Sequence, residues 1–109
     1  MKIAIVGSRN KTVTNLEKYL SIHDEIITGG AKGIDACARE YAEKNGLKLT
    51  EILPEYERYG KAAPIVRNKK IVDYADRVIV FWDGISKGSL SVIQYAKKTG
   101  KNIDVIILK

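Results

Sequence analysis

Five short runs rich in Ile and Val alternate with segments of helical period, and this alternation restricts the possible folds more than any other feature of the chain. The runs are residues 2–6, 25–28, 48–53, 77–81 and 103–108. Each is apolar enough to suit a strand buried on both faces. The intervening segments carry helix signatures. Thr14-Asn15-Leu16-Glu17 has the capping-box pattern, with Leu16, Tyr19 and Leu20 on one face. Ile34, Cys37, Ala38, Tyr41 and Ala42 form a second stripe that stops at Gly46. Pro64 suits the first position of a third helix, which carries Ile65, Ile71, Val72 and Ala75 inward. Residues 88–99 make a fourth, ended by Gly100. Strands and helices in strict alternation predict a three-layer α/β domain. Its five-stranded sheet is expected to be parallel, in the order 3-2-1-4-5, with right-handed crossovers. The segment 54–63 has no apolar period and is expected to be a long loop, with Glu55, Tyr56 and Tyr59 in it.

With 109 residues the chain suits a single domain, residues 1–109, around one core. A hydrophobic fraction of 45% and a charged fraction of 29% are those of an ordinary globular protein. No apolar run reaches the length of a membrane span, so no membrane partner is expected. The opening residues lack the pattern of a secretory leader, and the lone Cys37 excludes an internal disulfide. A cytoplasmic location follows as the expectation. The net charge of +6 favours anionic partners, although most of the lysines between 58 and 70 and between 97 and 101 read as a solvated surface.

The residues that do not look like core all follow strand ends: Gly7-Ser8-Arg9-Asn10, then Gly29-Gly30-Ala31-Lys32-Gly33, then the long segment and Arg67-Asn68, then Trp82-Asp83-Gly84 with Ser86-Lys87-Gly88-Ser89. In an open parallel sheet ligands bind beyond the carboxyl ends of the strands, where the strand order reverses. Glycine turns that open helices let backbone N–H groups approach an anion, and the helix dipole adds to the attraction. Arg9, Lys32, Arg67 and Lys87 supply countercharge, and Ser8 and Ser89 supply hydroxyls. The set reads as a site for a phosphate-bearing ligand. Gly7 serves equally as a tight turn, and Asp35 equally as a dipole-complementing residue or a ligand contact. Asn68 lies on the inward face of its helix and needs a partner. Trp82 suits either a stacking platform or a core or lid position. His23 has no second ligand at metal spacing, and no metal site or Ser-His-Asp set is apparent.

The order GSR, GGAKGID, RN and KGSL resembles the SLOG superfamily of Rossmann-like nucleotide-binding domains, which includes the DprA, Lonely guy and YspA-like branches. The likeness covers nearly the whole chain. It is nearest to the YspA-like branch, through Tyr59-Gly60, Pro64, Arg67-Asn68 and the stretch from Phe81 to Ser89. The resemblance implies a nucleotide or nucleotide-derived ligand, such as an ADP-ribose-like molecule, and no separate cofactor. Lonely guy enzymes hydrolyse nucleoside monophosphates and carry a glutamate where this chain has Val92. That departure favours a binding or sensing module over an N-glycosidic hydrolase. A hydrolase would have to use Asp35, Asp83 or Glu55. The DprA branch implies contact with single-stranded DNA, here expected to be weak, and a homo-oligomer stays open as an alternative.

Overall fold

The five Ile/Val runs pair side by side in one parallel sheet of order β3-β2-β1-β4-β5 in the computed structural model, which describes residues 1–108. The strands are β1 (Lys2–Gly7), β2 (Glu25–Thr28), β3 (Leu49–Glu51), β4 (Arg77–Trp82) and β5 (Asn102–Ile107). The helices are α1 (Ile34–Asn45), the short α2 (Tyr56–Tyr59), α3 (Ala63–Tyr74) and α4 (Lys87–Thr99). Alternate strand residues feed two cores. Ala4, Val6, Ile27, Val78 and Val80 pack on one face against Ile71 and Val72 of α3 and Val92 and Ile93 of α4. Ile3, Ile5, Ile26, Ile79 and Phe81 pack on the other against Leu16 and against Ile34 and Ala38 of α1. This two-faced burial is the physical cause of the continuous apolar runs.

Several local expectations are corrected. The capping-box segment forms only a 3₁₀ turn, Leu16–Lys18, with no side-chain cap. Asp24 accepts from the backbone N–H of Ser21 at 2.7 Å and closes a competing turn before a helix can lengthen. Leu16 still packs into the core, and Tyr19 meets Phe81 edge-on at 5.5 Å. Strand β3 is shorter than its apolar run because β2 turns away at Gly29, leaving Leu53 60% exposed. The segment 54–63 is not a loop: α2 and a 3₁₀ turn, Gly60–Ala62, lead into α3. Ala63 opens α3, so Pro64 is its second residue. Ile65 is 52% exposed: it lies on the side of Asn68 and Val72, three and seven residues on, but sits in the first turn of α3, before the buried stretch begins at Arg67. Strand β5 is an edge strand with outward-facing Val105 and Ile107, not one buried on both faces.

The register sets up the site. Gly7 pairs with Phe81, so β1 and β4 end side by side and their following loops start together. The backbone N–H of Ser8 donates to the Phe81 carbonyl at 3.1 Å, and that of Asp83 donates to Ser8 Oγ at 3.0 Å.

Candidate functional site

A cavity of about 320 Å³ opens beyond the carboxyl ends of the strands at this β1–β4 junction. Val6, Ile71 and Val92 give it an apolar wall, and Ser8, Arg9, Arg67, Asn68 and Ser89 give it polar ones. Two glycine turns flank it, and they differ in kind.

The turn after β2 is already filled by the protein's own carboxylate. Asp35, 5% exposed in the first turn of α1, accepts through Oδ2 from the backbone N–H groups of Gly29 at 3.1 Å and Ala31 at 3.2 Å. The N–H of Gly30 donates to Thr28 Oγ1 at 3.3 Å. Burial pushes the Asp35 carboxyl above its ordinary range, against the opposing pull of the Ala31 and Gly29 amides and the charge of Arg67. Arg67 completes the arrangement. Its Nη1 donates to the Gly29 carbonyl at 2.6 Å, and its Nε donates to Asn68 Oδ1 at 2.9 Å. Asn68 Nδ2 in turn donates to the Gly88 carbonyl at 3.4 Å. The Arg-Asn pair is therefore a strap between the two turns. It resolves the buried polar group at Asn68 with protein partners. Burial lowers the Arg67 pKa while Asp35 and Tyr56 oppose the fall.

The glycines of this half are explained from within the fold. A Cβ on Gly29 would sit 2.6 Å from Arg67 Nη1. One on Gly33, at φ +71°, would lie 2.5 Å from the Ser8 carbonyl. One on Gly7 would collide with the Phe81 carbonyl and the Ile34 side chain. Close approach is the reason for all three, but what approaches is the protein itself.

The turn that opens α4 is free. Among the described residues the backbone N–H groups of Lys87, Gly88 and Ser89 meet no protein acceptor, and Ser86 makes no side-chain cap. The Ser86 hydroxyl instead donates to Asp83 Oδ2 at 2.8 Å. Asp83 Oδ1 accepts from the N–H groups of Ile85 and Ser86, each at 2.8 Å. These bonds, the Ser86 amide first, hold the Asp83 carboxyl down at about 2. Ser89 is 6% exposed, faces the cavity, and its hydroxyl makes no hydrogen bond among the described residues. A Cβ added to Gly88 would meet nothing within 4 Å, and Gly88 has no left-handed φ. It is the one glycine at the cavity that neither fold nor backbone conformation requires.

Of the residues singled out in the sequence, Gly7, Ser8, Arg9, Gly29, Asp35, Arg67, Asn68, Gly88 and Ser89 line the cavity. Gly30 and Lys32 border a separate shallow depression with Arg9 and Arg39. Gly33 supports the Ser8–Arg9 backbone from behind, Asp83 shapes the loop after β4, and the Lys87 side chain is exposed outside the cavity wall. Asn10 and Ser86, members of the clusters after β1 and β4, line the wall as well, whereas Pro64, read only as a helix start, was missed as a wall residue. Trp82 is no free platform: its Nε1 donates to the Ser86 carbonyl at 3.0 Å and its ring packs on the core. Tyr59 is covered by Arg58 at 5.2 Å and Lys70 at 5.5 Å, whereas Tyr56 is 57% exposed. Among the described residues no three His, Cys, Asp or Glu side chains gather at metal-binding distance, and no helix is long and apolar enough to cross a membrane. No protein-family model matches the chain, and no curated protein is similar to it by sequence.

Proposed function

We propose that this chain is a SLOG-type, Rossmann-like module that binds a nucleotide or nucleotide-derived phosphate ligand in the cavity at the β1–β4 junction. The observation that carries this reading is the α4 turn. It combines unpaired backbone N–H groups, a glycine with open space in place of a Cβ, and the unpartnered Ser89 hydroxyl, all at one wall of the cavity. That is the local equipment for holding an anion. The apolar wall of Val6, Ile71 and Val92 suits the less polar remainder of the ligand. A cytoplasmic location agrees with such a ligand and with a single cysteine.

Binding without turnover fits better than N-glycosidic hydrolysis. Val92, 2% exposed, occupies the cavity wall where the resembling hydrolases carry glutamate. The three alternative carboxylates are engaged: Asp35 by backbone amides, Asp83 by Ile85 and Ser86, and Glu55 by Lys70 at 3.0 Å on the surface. Thermal-shift and calorimetric titration with AMP and ADP-ribose tests the proposal. A saturable rise in Tm that is lost in Ser89→Ala is expected. No shift with either compound at millimolar concentration refutes it.

A further inference from the structure

The sheet has two edges, and they are treated differently. At one edge β3 is only three residues long and is followed closely by Pro54, a common way of blunting an edge. At the other, β5 runs six residues and pairs with β4 along its whole length. It contains no Pro, Gly or Lys. Its one charge, Asp104, is tied to Arg77 of β4 by an ion pair. Val105 and Ile107 are 37% and 53% exposed.

The backbone direction along β5 follows from one bond. The N–H of Leu108 donates to the Trp82 carbonyl at 2.8 Å, so Leu108 faces β4. Backbone groups alternate sides along a strand, and side chains alternate faces with them. Ile103, Val105 and Ile107 therefore turn their N–H and C=O groups away from β4. They share one sheet face, the one on which Ile103 packs toward α3 and α4.

The geometry points to a second copy of this chain as the partner of that edge, with the two β5 strands antiparallel and Val105 on the two-fold axis. In antiparallel pairs the residues with outward backbone groups must oppose each other and exchange both bonds. A centre at Val105 places Val105 against Val105 and Ile103 against Ile107, β-branched side chains on one face throughout. It also places Asp104 opposite Ile106. A centre at Asp104 would set two carboxylates opposite each other, and a centre at Ile106 would carry Ile103 past the partner's Ile107. Charge and hydrogen-bond parity thus select one register. The resulting isologous pair joins two sheets into one and uses up both unblunted edges, so the assembly closes as a dimer.

The test uses the full chain. Sedimentation velocity across the micromolar range is expected to give a dimer, and hydrogen exchange is expected to protect the amides of Ile103, Val105 and Ile107. Val105→Lys puts two like charges at the axis, and Val105→Pro removes an N–H that points away from β4, where proline is tolerated. Both variants are expected to be folded monomers in which the amides of Ile103 and Ile107 exchange freely. An equimolar mixture of Val105→Lys and Val105→Asp is expected to recover a heterodimer. A monomeric wild type, or a dimer that survives both Val105 variants, overturns the inference. If neither variant folds, fast exchange at Ile103, Val105 and Ile107 in the wild type overturns it alone.

Discussion

Replacing Gly88 by Ala separates fold from ligand more cleanly than any other change at the cavity. Glycine costs a helix roughly 0.5–1 kcal/mol relative to alanine. Gly88 is the second residue of α4, in an ordinary conformation, and its Cβ would meet no atom within 4 Å. The variant is therefore expected to gain about 0.5 kcal/mol, since the first turn realises only part of the interior effect. For a domain of this size that corresponds to a Tm rise of roughly 2–3 °C. The same methyl group occupies the space through which an anion would reach the N–H groups of Lys87, Gly88 and Ser89. Losing one hydrogen bond to a charged group costs about 1.5–3 kcal/mol, or roughly 10- to 150-fold in Kd. Differential scanning fluorimetry and calorimetry with AMP measure both effects. Weaker binding in a protein that is equally or more stable is the expected pair. Undiminished affinity would refute the placement of the anion at the α4 turn, and a clear loss of stability would refute the claim that the fold leaves this position open.

Gly7→Ala is expected to behave oppositely, destabilising by about 1–3 kcal/mol or more in a denaturant titration, because the new Cβ strikes the Phe81 carbonyl. Asp35→Ala leaves the buried amide of Gly29 and the half-buried amide of Ala31 unpaired and is expected to cost roughly 2–4 kcal/mol by the same measurement. Asp83, whose carboxyl is held at about 2 against an ordinary 3.8, stabilises the fold above that ordinary value, and this contribution fades as pH falls toward 2. An acid titration followed by circular dichroism is expected to flatten over that window in Asp83→Asn. Single-stranded DNA is expected to bind weakly and with steep salt dependence, since Tyr56 is the one aromatic more than half exposed among the described residues. Submicromolar affinity near physiological salt in a filter-binding titration would contradict that.

The sheet was legible because two-faced burial leaves a trace that nothing else in a short chain imitates: Ile3 and Ile5 serve one core while Ala4 and Val6 serve the other. The same trace concealed the edge. The outer strand, with Ile103, Val105 and Ile107, is as apolar as an interior one, and composition does not say which strand lies outermost. The failed helix at Thr14 had a sound local pattern but was overruled by the Ser21–Asp24 turn. At the cavity the glycines were legible as places where a Cβ is excluded. Their cause was not, because a guanidinium 2.6 Å from the Cβ position of Gly29 and a bound phosphate demand the same small residue. The difference between Gly29 and Gly88 exists only in three dimensions.

That difference bears on how a ligand would lie in the cavity. Asp35 and Arg67 face each other across the β2 turn and largely cancel at a distance, each also held by backbone or amide groups. Little uncompensated charge therefore faces the cavity from that turn, whose exposed Lys32 borders the neighbouring depression instead. The positive potential at the cavity comes from the open end of α4, where exposed Lys87 is the first residue, and from Arg9; both side chains are exposed and form no ion pair among the described residues. On the proposed reading, the phosphate therefore seats at Gly88 and Ser89, and the rest of the ligand runs along Val6, Ile71 and Val92 toward the Arg67–Asn68 strap. The strap fixes the distance between the two walls, since Arg67 holds the Gly29 carbonyl while Asn68 holds that of Gly88. Asn68→Ala removes the tie without touching the α4 amides. It would then loosen the position of the anion-binding turn, lowering affinity for a nucleotide that needs both walls more than for inorganic phosphate, which needs only one.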